Sequence, residues 1–202
     1  MTVEQAVERL APYLPALHGA LVEAWTTWQQ QTAPTFASSR RSRATVVHDI
    51  ILTNIRRAVP SAVEQNVRNL VMFVFDDSIA IRIKKFDDEL CPKNIPTRQV
   101  LSFRRQEDID GLPSMHHLEL GYVLDHLQTQ ISSIHLVCPS GKKAHAWSFD
   151  VGAYVASTRI VGAPGLVIPL LPERGEPEAK PVTFRRKSIG TEEQNEVNSD
   201  KS

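Results

Sequence analysis

The sequence predicts an α+β domain, with N-terminal helices packed on an antiparallel sheet and a disordered C-terminal tail. Three observations carry that expectation. Apolar residues recur at threes and fours up to Pro60, alternate in twos along several stretches between Leu70 and Val151, and nearly vanish after Pro172. A chain of 202 residues with 42% hydrophobic residues can bury one core of ordinary size. The expected organisation is residues 1–31 as N-terminal helices, 40–172 as an α+β core in the same domain, and 173–202 as tail.

Thr2 and Gln5 have capping-box spacing, and Val3, Ala6, Val7, Leu10, Leu14, Leu17, Leu21, Ala24, Trp25 and Trp28 follow with helical period. Pro12 and Pro15 each remove a backbone donor, so two helices are expected, the second reaching about Gln31. The polar stretch from Gln31 to Arg43 reads as a linker carrying the arginines Arg40, Arg41 and Arg43. From Ala44 to Pro60 the positions Val46, Val47, Ile50, Ile51 and Ile55 predict another helix. Ser61 and Glu64 then repeat the capping-box spacing and predict a short helix to about Asn69.

At Leu70 the period changes. The apolar run Leu70 to Phe75, the turn residues Asp76, Asp77 and Ser78, and the alternation of Ile79, Ile81 and Ile83 with Ala80, Arg82 and Lys84 predict a hairpin whose second strand is greasy on one face and basic on the other. Pro96 and Thr97 start a helix through about Gln106. Three further runs, Leu118 to Leu124, Ile134 to Cys138 and Trp147 to Val151, predict an antiparallel meander that extends the hairpin. Beyond Pro172, proline and charge dominate, so the tail lacks the apolar area to order itself. Within it Phe184, Arg185, Arg186 and Lys187 form a short basic element.

Charge and cysteine content narrow the function classes. Lysine plus arginine equals aspartate plus glutamate at 23 each, so no overall field draws the chain to nucleic acid or an anionic membrane, and any electrostatic function rests on local patches. Two cysteines, Cys91 and Cys138, without a secretory leader point to reduced thiols and a cytoplasmic location. The longest apolar run, Ile160 to Leu171, is too short and too rich in Gly and Pro to span a membrane.

The strongest local signal is a basic set on the hairpin and the helix after it: Arg82, Lys84, Lys85, Arg98 and Gln99 are the candidate anion or partner contacts. Guanidinium and ammonium groups brought to one surface bind phosphate or carboxylate. Dispersal of the same cations into pairs with Asp87, Asp88, Glu89, Glu107 and Asp108 is the competing reading. Weaker candidates are His48-Asp49, which resembles the central pair of HD phosphohydrolases, and Asp76 or Asp77 as first metal ligand of a restriction-type nuclease. In that nuclease pattern the next strand needs an acid where Arg82 stands. Seven histidines show no zinc spacing, so neither a metal nor another cofactor is expected.

The run Ile81-Arg82-Ile83-Lys84-Lys85-Phe86-Asp87, then Pro92, then Asn94-Ile95-Pro96-Thr97-x-Gln99, is similar to poorly characterised bacterial and prophage proteins. Their genes lie beside one for a helix-turn-helix protein fused to a zinc metallopeptidase of the ImmA/IrrE type. Ser42-Arg43-Ala44, Val47-His48-Asp49 and Leu112-Pro113 share the resemblance, which covers about Arg40 to Val151. It implies a growth-inhibiting toxin or defence effector of a two-gene toxin–antitoxin module, neutralised by that partner protein. It implies no mechanism and leaves open whether the chain is an enzyme. A non-enzymatic module docking an acidic protein or nucleic acid, and a metal-dependent nuclease, stand as alternatives.

Overall fold

Thr2 starts the first helix as its spacing from Gln5 predicts: its hydroxyl accepts from the Gln5 backbone N–H at 3.4 Å, and the Gln5 side chain accepts from the Thr2 N–H at 3.0 Å. The structure, a computed structural model, describes residues 1–32, 39–92, 97–110 and 113–161. Helix α1 spans Val3–Leu10 and α2 spans Leu14–Thr27. The break falls at Pro12, and Pro15 sits in the first turn of α2, where a missing N–H costs nothing. One π-helical turn, Trp28–Thr32, follows. Helix α3, Arg40–Ala58, begins four residues before the expected start at Ala44, because Ser39 caps it by accepting from the Ser42 N–H at 3.2 Å.

The short helix expected from Ser61 to Asn69 is a strand instead, β1 Val63–Val67. Glu64 does not close a capping box; Arg56 of α3 holds its carboxylate through both Nε and Nη2. Arg68 and Asn69 both adopt positive φ, 50° and 69°, which makes the two-residue turn that folds β1 back onto the apolar run β2, Leu70–Phe75. Strand pairing over five residues outweighs a capping motif that has no amphipathic helix behind it.

Strands β3 Ile79–Lys85, β4 His116–Leu124, β5 Ile131–Pro139 and β6 His145–Asp150 complete one sheet among the described residues, in the order β1-β2-β3-β4-β5-β6. The sheet is mixed. β3 and β4 run parallel, with Ile81 beside Leu118 and Lys84 beside Gly121, while the other neighbours are antiparallel. This corrects the all-antiparallel expectation. A parallel neighbour requires a crossover, and the segment holding helix α4, Arg98–Arg104, supplies it. The third strand of the meander also ends one residue early: Asp150 caps the chain by accepting from the Ala153 N–H at 2.9 Å, and Val151–Val161 form helix α5.

Both faces of the sheet are covered. On the first, Phe73, Ile81, Leu120 and Leu136 pack against α1, α2, α3 and α5 in the main core. On the second, Phe103 of α4 packs with Met72 and Ala80, and Phe86 packs with Val123 and Val137. Gly121 makes the second contact fit: a Cβ there would stand 2.5 Å from the Lys84 carbonyl oxygen and 2.5 Å from the Phe86 ring. The helices and sheet belong to one compact unit, Met1–Pro164. Among the described residues no helix is long and apolar enough to cross a membrane. The tail of residues 173–202, including Phe184 to Lys187, and Lys93, Asn94, Ile95, Pro96 and Leu112 of the motifs lie outside the described residues.

Candidate functional site

The alternation of β3 sends Ile79, Ile81 and Ile83 to the main core and Ala80, Arg82 and Lys84 to the opposite face, as the period of two requires. Helix α4 and the loop after β3 cover that opposite face, and this changes what the basic residues can do. Arg82 is 5% exposed, so it is not a surface contact, contrary to its expected place on a basic face. Its guanidinium lies 5.0 Å from the centre of the Phe103 ring and its Nη1 lies 3.8 Å from Oε1 of Glu119, a residue with no exposed surface. Arg104 from α4 reaches the same carboxylate at Oε2 through Nη1, and donates from Nε to the Gly141 carbonyl at 2.9 Å and from Nη2 to the Ala144 carbonyl at 3.4 Å.

The partnering in this cluster is unequal. Each nitrogen of Arg104 has a hydrogen-bond partner, whereas Nε and Nη1 of Arg82 and Oε1 of Glu119 are buried with none. Burial, then the adjacent Arg104, pulls the Arg82 guanidinium down to about 10 against the pull of Glu119, which leaves it protonated at neutral pH. Two guanidinium groups therefore share one buried carboxylate. Gln106 anchors the rim: its amide donates to the carbonyls of His117 at 2.7 Å and Pro139 at 3.0 Å, and accepts from the His117 N–H at 2.9 Å. His117 stacks on Phe103 with ring centres 4.4 Å apart.

Lys84 stands two residues further along the same face of β3, at the edge of this cluster. Burial first, then the charge of Arg82, pushes its ammonium down to about 8, with Glu119 pulling the other way. It lines a cleft of about 730 Å³ at the carboxyl ends of β3 and β4. The walls come from three places: Arg41, Ala44, Thr45 and His48 on α3, Phe86 to Asp88 after β3, and Asp125, His126 and Gln128 after β4. The position has a topological reason. β3 leaves the sheet for the crossover that carries α4, whereas β4 turns directly into its antiparallel neighbour β5, and residues of both departures line the cleft.

Of the three acids of the cleft, Asp88 is exposed, and Asp87 and Asp125 are engaged with backbone. Asp87 Oδ1 accepts from the N–H groups of Glu89 and Cys91 at 3.1 and 2.9 Å, and Asp125 accepts from those of Thr129 and Gln130 at 2.6 and 3.0 Å. His48 is half-buried and kept below its ordinary range, chiefly by burial and then by the charge of Lys84, so it faces the cleft as a neutral imidazole at pH 7. Asp49 is exposed beside it, 3.8 Å away, and pulls the other way.

The remaining candidates scatter. Lys85 lines the cleft with Lys84. Arg98 is exposed and Gln99 half-buried in the first turn of α4, which Thr97 caps by accepting from the Val100 N–H at 3.3 Å. Asp76 and Asp77 occupy the β2–β3 turn with φ of 48° and 51°, at the opposite end of β3 from the cleft. At about 3.3 Å per residue along a strand, that separation is about 20 Å. Among the described residues no three of His, Cys, Asp and Glu come together to hold a metal ion. The upstream arginines are mostly engaged: Arg57 pairs with Glu23 at 2.7 Å, Arg56 with Glu64, and Arg43 with Gln128 beside the Trp25 ring.

Glu119 and Gln106 were not among the sequence candidates. Glu119 stands between Leu118 and Leu120, and a strand with one solvated face would place it in water. Only cover on both faces makes it a buried counter-ion. Compared with family models, curated proteins and solved structures, the chain gave no match.

Proposed function

We propose that the chain is the effector half of a two-gene module and that it works by seating an anionic group of its target in the cleft at the carboxyl ends of β3 and β4. The observation that carries this reading is the uneven charge buried beneath that cleft. There Arg82, Arg104 and Lys84 face one acid, Glu119, while Asp87, Asp88 and Asp125 belong to the wall of the cleft. A buried excess of positive charge is costly without a counter-charge, and a phosphate or carboxylate entering the cleft supplies one. Arg41 on α3 and Lys85 on β3 flank the entry. The resemblance of the Ile81 to Gln99 motif supports the second half of the reading, an effector neutralised by a helix-turn-helix metallopeptidase encoded beside it.

Inducible expression tests it. The wild-type chain expressed alone is expected to arrest growth, and co-expression of the neighbouring gene to restore it. Lys84→Met, together with Arg41→Met, is expected to abolish the arrest while leaving the folded chain at wild-type abundance. Unchanged growth on induction of the wild type alone would remove the effector reading. A double variant as toxic as the wild type would remove the cleft from it.

A further inference from the structure

We propose that β1 is a docking edge for a second copy of this chain, the two β1 strands pairing antiparallel about a two-fold axis at Gln65 and joining the two sheets into one. β1 is an end strand of the sheet, and among the described residues it pairs only with β2. The turn after it fixes which of its backbone groups are free. Arg68 and Asn69, both at positive φ, close a two-residue hairpin, so Val67 and Leu70 form a hydrogen-bonded pair, and by the alternation of an antiparallel ladder so do Gln65 with Met72 and Val63 with Val74. The N–H and C=O groups of Glu64 and Asn66 therefore point away from β2, at the open edge. Such an edge is a template for another strand unless lysine, proline, a bulge or a covering segment blocks it. β1, Val-Glu-Gln-Asn-Val, has neither lysine nor proline, and its register with β2 is unbroken. At the opposite end of the sheet the register of β5 with β6 shifts at Cys138 and Pro139, an interruption that β1 lacks.

The residues of β1 select the occupant, because the strand is self-complementary. With the outward groups on Glu64 and Asn66, an antiparallel copy of the same strand sets Glu64 opposite Asn66 of the second copy, and each such pair exchanges both N–H···O bonds. The two-fold axis then falls at Gln65, which faces its own counterpart, and Val63 stands opposite Val67. The charges agree with that register. Glu64 is the charged residue of the strand; it meets an uncharged asparagine, and its carboxylate is already held by Arg56 of its own chain. Past the strand ends Arg68 falls opposite Ala62, so no like charges are opposed. Val63 is 52% exposed, although its face of β1 runs through Val67 into the apolar cluster of Leu70, Met72 and Phe103. Contact of Val63 with Val67 of the second copy extends that cluster across the seam and takes exposed valine out of water. A patch that meets itself about a two-fold closes at two copies, so the edge is used up by dimerisation. A seam one five-residue strand long lies at the small end of interfaces, below about 1,200 Å², and associates weakly and reversibly.

The test is the oligomeric state of the full chain. Sedimentation velocity across the micromolar to millimolar range is expected to pass from one chain to two. Over the same range hydrogen exchange is expected to slow at the amides of Glu64 and Asn66, and not at those of Gln65 and Val67, which β2 already holds. Gln65→Lys is expected to weaken association about tenfold or more by setting two ammonium groups against each other at the axis, and Gln65→Glu to do so with two carboxylates. Mixed together, the two variants are expected to pair again, since opposite charges then meet across the seam. Val63→Lys, at an exposed position, is expected to weaken association while the dilute chain keeps its melting temperature. A chain that stays single throughout, with Glu64 and Asn66 exchanging freely, overturns the self-pairing and leaves the edge to an extended segment of another protein. Association that Gln65→Lys and Val63→Lys leave unchanged, or that mixing the two Gln65 variants does not restore, puts the seam elsewhere and overturns it as well.

Discussion

Replacing Glu119 with Gln tests the charge arrangement on which the cleft depends. The amide keeps the shape of the side chain and removes the only carboxylate that Arg82 and Arg104 share. Glu119 has no exposed surface and the two arginines are 5% and 2% exposed, so water cannot replace the lost charge. Removing one partner of such a buried pair costs about 3–5 kcal/mol. For a unit of this size each kcal/mol is worth about 2–4 °C, so the melting temperature is expected to fall by about 6–20 °C.

The contrasting variant is Arg82→Met. Methionine keeps an unbranched stem against Phe103, relieves the two unpartnered guanidinium nitrogens and leaves Glu119 balanced by Arg104. What it loses is the ring contact, worth about 0.5–2 kcal/mol, and a separation of 3.8 Å that is too long for a hydrogen bond. A net change within about 1 kcal/mol of zero is expected, against the large loss for Glu119→Gln. Urea unfolding of the two variants, compared at equal slope, measures both. If Arg82→Met costs as much as Glu119→Gln, Arg82 is the principal counter-ion of Glu119. The cluster would then hold no excess positive charge beneath the cleft.

Lys84 sets a second expectation with a definite sign. Its pKa falls from near 10.4 in the unfolded chain to about 8 in the fold, so between those values the unfolded chain binds the extra proton and stability rises with pH across that window. Lys84→Met is expected to flatten the rise, and an unchanged slope in urea unfolding between pH 8 and pH 10 would count against the burial described. His117 and His48 are likewise held low, chiefly by burial, so both oppose folding as pH drops below about 6.5, where the unfolded chain charges them first. His117→Gln should weaken that acid sensitivity, read as a smaller loss of melting temperature between pH 7 and pH 5. Gly121→Ala drives a methyl into the Lys84 carbonyl and the Phe86 ring and is expected to cost about 1–3 kcal/mol or more, with exposure of Phe86 visible as faster hydrogen exchange in residues 85–92. Gln106→Ala orphans the N–H of His117 and is expected to cost about 1–3 kcal/mol, seen as a lower urea midpoint.

The helical period of the first sixty residues, the cap at Thr2, the break at Pro12, the turn at Asp76 and the alternation of β3 were all legible in the sequence, because each depends on neighbours within a few positions. The β1 strand was hidden by a capping-box spacing whose glutamate is claimed by Arg56 of α3, a contact between elements. Helix α5 did carry a local signal, Asp150 ahead of Val151, Tyr154 and Val155 at helical spacing, which reading Val151 into the preceding strand obscured.

For the candidate site the division follows the same physics. Alternation puts Arg82, Lys84 and Glu119 on one face of their strands and nothing more; it does not say what covers that face. The parallel pairing of β3 with β4 decided it, since a parallel neighbour requires a crossover and this one lays α4 over Arg82. That cover turned an expected surface arginine into a buried one, gave Glu119 two cations to hold, and left Lys84 at the open end of the strands. Local sequence fixes which side chains share a face, while burial and charge balance come from segments far apart in the chain.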